Sequence, residues 1–333
     1  MLLNCVAQNS MGLPRSYWGR ALRHNRPMTD PSPRWLPTGY RSRSATTADV
    51  PVIHGLVAAC ERELYGRAVT DLDGIAADFA RPGLDPALDT VLVHGPAGEP
   101  VGRAWVNRRS KVDVHPAHQG RGLGSSLLDW AETRARQVGS GRLVQTVPDS
   151  DRAACALLRS RGYDTLATSW LLEIAMPVEP VVPEAPTGIT VRPFRSGDER
   201  AVHRLVEDAF DEWQERRRSY EEWALLTVER DTFAPAVSPV AFCGDRMVGA
   251  VLSLDIPGTD EGYIERVAVH RDHRNQGIAR LLLQHTFRGF HRQHRRTCTL
   301  WTHSGTGALS LYERVGMTVR RSSTVYSKAL TPR

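Results

Sequence analysis

Apolar residues recur at two different spacings along this chain. In 189–194, ITVRPF, apolar and polar residues alternate, which predicts a strand. In 198–213 they recur every three or four residues after an acidic cap, which predicts a helix. Residues 239–254 predict two strands joined by a turn at Gly244-Asp245. This half of the chain is therefore expected to begin as strand, helix and hairpin.

The pattern continues through a turn that contains glycine. A strand is predicted over 263–269, YIERVAV, and a helix over 278–293. A second strand over 297–302 and a second helix over 307–316 follow. Strands and helices in this order predict an α/β domain with a mixed sheet.

An internal repeat relates the two halves of the chain. HQGRGLGSSLL at 118–128 resembles HRNQGIARLLL at 273–283, with Gly122 aligned to Gly277. Two further pairs of residues can be aligned between the halves in the same order and at nearly the same offset. These pairs are Asp49 with Asp198 and Gly162 with Gly316. Three ordered anchors predict two homologous domains.

Prolines mark the boundary between the halves. Residues 177, 180, 183 and 186 are all proline, and this three-residue spacing favours an extended, semi-rigid linker. We therefore predict an N-terminal domain over 39–180, a Pro-rich linker over 181–187 and a C-terminal domain over 188–330.

Composition narrows the functional classes. The chain is 41% hydrophobic and 24% charged, and no apolar run approaches the roughly 18 residues of a membrane span. The opening residues lack the apolar centre of a secretory signal, so a cytoplasmic location is expected. The five cysteines are isolated, which supports neither a disulfide framework nor a metal site.

The positive charge is concentrated at the N-terminus. The formal net charge is +6, and residues 1–43 hold seven arginines against the single acid Asp30, so the rest of the chain is formally neutral. The low apolar periodicity of 1–38 predicts a disordered basic tail. Nucleic-acid binding by the folded part is not expected, because it would require a basic surface excess.

Both copies of the repeat run from a strand into a glycine turn and then a helix. Such a turn presents unpaired amides at the positive end of a helix, which favours phosphate binding. Neither copy has the Gly-Lys-Ser/Thr of a P-loop or the Rossmann glycine fingerprint. An ordinary turn into a helix is the alternative, and the duplication weighs against it.

These turns resemble the signature Q/R-x-x-G-x-G/A of the GNAT N-acetyltransferase superfamily. The resemblance implies two tandem GNAT domains, each a mixed, mostly antiparallel twisted sheet flanked by helices, and it implies acetyl-CoA as the acyl donor. In the second copy the expected cofactor-binding residues are Val267, Val269, Arg274, Asn275, Gln276, Gly277, Ile278, Ala279 and Arg280. In the first copy they are Gln119, Gly120, Arg121, Gly122, Leu123 and Gly124.

The resemblance also implies catalytic groups in the second copy. Family members often use a carboxylate on the strand before the turn as a base, which corresponds to Glu265, and a tyrosine of the last helix as an acid, which corresponds to Tyr312. The first copy has Ser110 and Leu158 at these positions. The alternatives are a surface carboxylate paired with an arginine for Glu265 and a core ring for Tyr312.

We therefore expect an acetyl-CoA-dependent N-acetyltransferase that acetylates an amine of a small molecule by direct attack in its C-terminal domain. The N-terminal domain is expected to be catalytically degenerate, and the chain to be a monomer. A non-catalytic acyl-CoA-binding sensor or scaffold is the alternative. His303 is a further candidate for the site. The arginine run 216–218 is interpreted as a solvated face, with phosphate contact as the alternative.

Overall fold

The computed structural model describes residues 35–330 except 82, 108, 212–216 and 257–258. Most of the predicted basic tail, residues 1–34, lies outside the described residues. The described chain forms two compact units. The first comprises 35–168 and 322–330, and the second comprises 169–321.

The first unit is a mixed sheet with flanking helices. Its strands are β1 (Arg41–Arg43), β2 (Thr90–His94), β3 (Pro100–Val106), β4 (Ser110–Val114), β5 (Arg142–Pro148) and the beginning of β6 (Asp164–Ala175). Its helices are α1 (Val50–Tyr65), α2 (Leu72–Phe79), α3 (Pro86–Asp89), α4 (Leu123–Gln137) and α5 (Arg152–Ser160). Neighbours from β1 to β4 pair antiparallel, and β4 pairs with β5 in parallel.

The second unit repeats this plan. Its strands are β7 (Ile189–Pro193), β8 (Pro239–Cys243), β9 (Arg246–Asp255), β10 (Glu261–Val269), β11 (Thr297–His303) and the beginning of β12 (Thr318–Ala329). Its helices are α6 (Glu199–Phe210), α7 (Tyr220–Leu226), α8 (Ile278–Arg292) and α9 (Leu309–Arg314). Strands β7 to β10 pair antiparallel and β10 pairs with β11 in parallel. The expectation of an α/β fold with mixed, mostly antiparallel sheets is confirmed.

An ion pair occupies the same place in both units, as the alignment of Asp49 with Asp198 predicts. Arg43 donates two hydrogen bonds to Asp49, at 2.7 and 2.6 Å. Arg192 donates two to Asp198, at 2.6 and 2.8 Å. Each aspartate precedes the first long helix of its unit, so the pair connects the first strand to that helix.

The last strand of each repeat pairs outside its own repeat. Residues 169–175 of β6 pair antiparallel with β11, and residues 323–329 of β12 pair antiparallel with β5. Leu172 of β6 is fully buried in the core of the second unit, and Tyr326 of β12 in that of the first. The compact units therefore differ from the contiguous ranges 39–180 and 188–330, because the final strands are exchanged.

Helix α8 packs very closely on the sheet of the second unit. Leu282, Phe287 and Phe290 are fully buried on its inner face. A Cβ at Gly262 would lie 2.6 Å from the Phe290 ring, and one at Gly249 would lie 2.9 Å from the Leu282 side chain. Glycine at these two strand positions lets the helix approach the sheet. Within the described residues no helix is both long and apolar enough to cross a membrane.

Candidate active site

The sheet of the second unit opens where β10 and β11 separate. Their parallel pairing covers only 261–264 opposite 297–300, and beyond Ile264 the two strands diverge. The first unit opens at the corresponding point, where β4 and β5 share the single pair Ser110 and Gln145. In an open α/β sheet, a gap between strand ends is a common place for a ligand.

A β-bulge lies at the point of divergence. In the ladder with β9, Ile264 pairs with Ser253 and Arg266 pairs with Leu252, so Glu265 is the extra residue. A bulge leaves one residue unpaired and redirects its side chain. The alternation of the sequence predicted a regular strand here and did not reveal the bulge. The β3–β4 ladder of the first unit has no such shift over Ser110–Val114.

A cavity of about 750 Å³ fills the gap in the second unit. Its walls come from four places, which are β10 over 263–269, the turn and start of α8, the end of β11, and α9 with the segment leading into it. Residues at the end of α6 and Arg218 complete the lining. Every lining residue belongs to the second unit.

The glycine turn forms one wall of this cavity. Gly277 caps helix α8 with a φ of 81°, in the left-handed region that favours glycine. A Cβ placed at Gly277 would meet no atom within 4 Å, so the space beside the turn is open. Ile278, Ala279 and Arg280 occupy the first turn of α8, where backbone N–H groups have no acceptor within the helix. An anionic phosphate group fits these donors.

The structure separates two roles within the predicted turn. Eight of the nine residues named in the second copy line the cavity, and Gln276 does not. The Gln276 amide instead donates to the carbonyl of Asp272 at 3.3 Å. Arg274 lines the cavity, yet its guanidinium donates to the carbonyls of Val269 and Ala209 at 3.4 and 3.3 Å. Its side chain therefore holds the turn against the strand and α6.

Glu265 and Tyr312 line the same cavity from two sides. Oε2 of Glu265 is buried and has no hydrogen-bond partner within the described residues, as expected for a group that meets a ligand. Tyr312 is 8% exposed, and burial raises its pKa to about 12. The phenol is therefore protonated at neutral pH and can donate a proton.

A family model for the acetyltransferase (GNAT) family matches residues 67–163 and 200–317. The chain belongs to this family. The two matched regions correspond to the two copies of the repeat, so the chain is a two-domain GNAT acetyltransferase.

Relatives of known name agree with this assignment. A mycothiol acetyltransferase of a Nocardioides species is 30% identical over 246 residues, covering 65% of this chain and 79% of that protein. One of Cellulomonas flavigena is 28% identical, covering 67% of this chain and 70% of that protein.

Solved structures agree as well. A GCN5-related N-acetyltransferase from Sphaerobacter thermophilus is 30% identical, with a TM-score of 0.73, covering 89% of this chain and 98% of that one. A tandem GNAT protein from the clavulanic acid biosynthesis pathway shares the fold at 18% identity, with a TM-score of 0.66, covering 88% of this chain and 99% of that one.

The first GNAT copy keeps the turn, but another segment of the chain lies beside its second glycine. Gly122 has a φ of 86°, and a Cβ there would lie 3.7 Å from the Pro37 ring. Tyr40 shares a hydrogen bond of 3.1 Å with His118, just before the turn. The segment that precedes β1 therefore lies against the first turn, whereas the space beside Gly277 is open.

The interior of the first copy is also filled with apolar groups. A Cβ on Gly124 would lie 3.1 Å from the Leu157 side chain, and Leu158, at the position of Tyr312, is buried in the core. The Ser110 hydroxyl, at the position of Glu265, donates to the carbonyl of Val144 at 3.2 Å. None of the six residues predicted from Gln119 to Gly124 lines the cavity described above.

Sequence reasoning did not predict part of the GNAT cavity lining. Glu207, Arg218 and Arg266 line it, as does His303, which the sequence had raised as a candidate. The interpretation of 216–218 as a solvated face is wrong for Arg218, while Arg216 lies outside the described residues. The sequence does not predict that Arg218 lines the cavity, because Arg218 follows α6 and lies far along the chain from the strand and turn that form the other walls.

Proposed function

We propose that this protein transfers an acetyl group from acetyl-CoA to an amine of a small molecule, and that the chemistry takes place in the second unit. One observation carries the proposal. Glu265, Tyr312 and the open turn at Gly277 line a single cavity. In the first unit the turn lies against Pro37, and Ser110 and Leu158 replace the two proton carriers.

The turn and the strand beside it would hold the donor. Backbone amides of Ile278, Ala279 and Arg280 would bind the pyrophosphate, because they are unpaired donors at a helix N-terminus. Val267 and Val269 line the same cavity along β10 and would position the pantetheine arm. When bound, acetyl-CoA supplies a thioester that an amine can attack directly.

Glu265 and Tyr312 would move the two protons of the reaction. An ammonium group cannot attack a thioester, so the acceptor must first lose a proton, and Oε2 of Glu265 is a buried carboxylate oxygen available to receive it. The departing sulfur then needs a proton. The Tyr312 hydroxyl can supply it, because it lines the same cavity and carries its proton at neutral pH.

The acceptor class follows from the relatives only in part. The relatives in Nocardioides and Cellulomonas flavigena are named mycothiol acetyltransferases. This supports a small-molecule acceptor and an acetyl donor for the present chain. Mycothiol synthesis is accordingly one acceptor choice within the proposed class.

A calorimetric titration combined with a thiol-release assay tests the proposal. Acetyl-CoA is titrated into the wild type, Gly277→Glu and Gly122→Glu, and each protein is then assayed with a panel of small amines. We expect Gly277→Glu alone to abolish both binding and release, because a carboxylate would fill the open space and repel phosphate. Wild-type binding without release from any amine would favour an acyl-CoA sensor, and loss of both through Gly122→Glu would place the site in the first unit.

A further inference from the structure

Two guanidinium groups line the cavity beside Glu265. Arg218 reaches it from the segment that follows α6, and Arg266 from β10, directly after the bulge. Arg266 follows Glu265 directly in β10, and Glu265 lies near enough to Arg218 to act on its charge. Both cations therefore line the same cavity as the proposed base.

Packing and hydrogen bonds hold both arginines at the cavity. The backbone amide of Arg218 donates to Glu207 at 2.9 Å, and its carbonyl accepts from the imidazole of His203 at 3.0 Å. Arg266 donates to the carbonyl of Glu265 at 3.0 Å, and its guanidinium lies 5.8 Å from the centre of the Phe210 ring. Helix α6 thus supplies the support for each of them.

The charge of Arg218 is not balanced by an ion pair. Across the part of the chain that the structure describes, neither Arg218 nor Arg266 has a carboxylate oxygen within 4 Å of its guanidinium. Burial, and after it the positive charge of Arg266, lower the pKa of Arg218. Its exposed neighbour Arg217, in contrast, forms ion pairs with Asp208 and Asp211 at 2.7 and 3.0 Å.

The carboxylates of Glu207, Glu222 and Glu265 act on the charge of Arg218 without forming an ion pair with it. A partly buried cation with no carboxylate in direct contact is costly, and an anion that enters the cavity would offset part of the cost. A guanidinium also matches a carboxylate or phosphate through paired hydrogen bonds. We propose that the acceptor carries a negatively charged group as well as its amine, and that Arg218 and Arg266 bind this group while Glu265 faces the amine. The inference rests on the proposed function, since it names the class of acceptor for the same cavity.

Anion titration tests the inference without requiring turnover. Inorganic phosphate and acetate are titrated separately into protein saturated with coenzyme A, which occupies the turn of α8. We expect at least one anion to bind the wild type and to bind Arg218→Met about tenfold or more weakly, from the loss of a charged hydrogen bond. Comparing the two anions distinguishes a phosphate acceptor from a carboxylate acceptor.

The matched control is Arg217→Met, which removes the same charge from the adjacent, exposed position. It should leave anion affinity within about twofold of the wild type, as is usual for surface charges. Unchanged acetyl-CoA affinity in Arg218→Met would show that the variant is folded and that Arg218 does not bind the coenzyme. Failure of both anions to bind the wild type, equal binding to Arg218→Met, or a matching loss of acetyl-CoA affinity would each overturn the inference.

Two acceptor pairs then extend the test to turnover. Alanine is compared with alaninamide, and glucosamine 6-phosphate with glucosamine, in the thiol-release assay. We expect the charged member of one pair to react with the lower KM and Arg218→Met to remove the difference. Preference for both uncharged members would contradict the inference while leaving acetyl transfer intact, so the two proposals can fail separately.

Discussion

Glu265 and Tyr312 line one cavity although they lie 47 positions apart in the sequence, the first on a bulged strand and the second on a short helix. The bulge releases Glu265 from the ladder with β9, and the divergence of β10 from β11 makes the space into which α9 brings Tyr312. This arrangement leads to separate expectations for the two side chains.

Replacing Glu265 by glutamine removes the proposed base and keeps the size of the side chain. We expect turnover to fall by about 100-fold at neutral pH, with acetyl-CoA affinity unchanged. The loss should shrink as pH rises, because the acceptor amine then loses its proton without help. Steady-state rates over neutral and alkaline pH, with calorimetry as the binding control, measure both quantities. An equal loss at every pH would argue against the base role.

Replacing Tyr312 by phenylalanine tests the proposed acid. We expect kcat to fall by about 10- to 100-fold while KM for acetyl-CoA stays the same, because the ring and its packing remain. The wild-type rate should show no decline from Tyr312 ionisation until pH approaches its raised pKa of about 12. A variant with the kcat of the wild type would show that Tyr312 serves as a core ring.

The exchanged strands predict where destabilisation appears. Tyr326→Ala should cost about 3–5 kcal/mol and accelerate amide exchange in β5, because the ring is buried in the first unit. Leu172→Ala should cost about 2–5 kcal/mol and accelerate exchange in β11. Hydrogen exchange read by mass spectrometry resolves the two strands. Faster exchange in β11 for Tyr326→Ala would instead indicate that each repeat keeps its own last strand.

The Arg192–Asp198 pair predicts a dependence of stability on pH. Hydrogen bonds from Arg192 are the main cause that lowers the pKa of Asp198. A lowered carboxylate pKa contributes stability above the unfolded pKa, near 3.9, and that contribution is lost as pH falls through the folded pKa. Asp198→Asn should therefore reduce stability by about 1.5–3 kcal/mol at neutral pH, and the difference from the wild type should disappear in strong acid.

Glu179→Gln is the control for this prediction. Glu179 forms an ion pair with Arg292 in the same unit, but both side chains are largely exposed, 44% and 62%. Loss of this ion pair should lower the free energy of unfolding by less than about 1 kcal/mol. The stability of the second unit alone can be measured from the hydrogen exchange of the α6 amides. A difference between Asp198→Asn and the wild type that grew as the pH fell would contradict the sign of the linkage.

The sequence alone determined what is local or repeated. Alternation and helical spacing predicted the strands β7 to β11 and the helices α6, α8 and α9 of the second unit, but not the short helix α7. The three aligned pairs predicted the duplication, including the shared position of Asp49 and Asp198. The glycine turn was also readable, because a left-handed φ at a helix cap favours glycine. These features depend on neighbouring residues or on comparison of the chain with itself.

Tertiary structure decided what depends on pairing and approach. A strand has the same sequence whether it pairs within its own repeat or outside it. The alternation of apolar and polar residues therefore could not predict the exchange of β6 and β12. The bulge at Glu265 depends on the register against β9. Arg218 reaches the cavity because it is bound to α6, which packs beside β10. Likewise, Pro37 lies against Gly122 through a contact between residues far apart in the chain. Such contacts arise when whole helices and strands pack together, and the local spacing of apolar residues does not predict them.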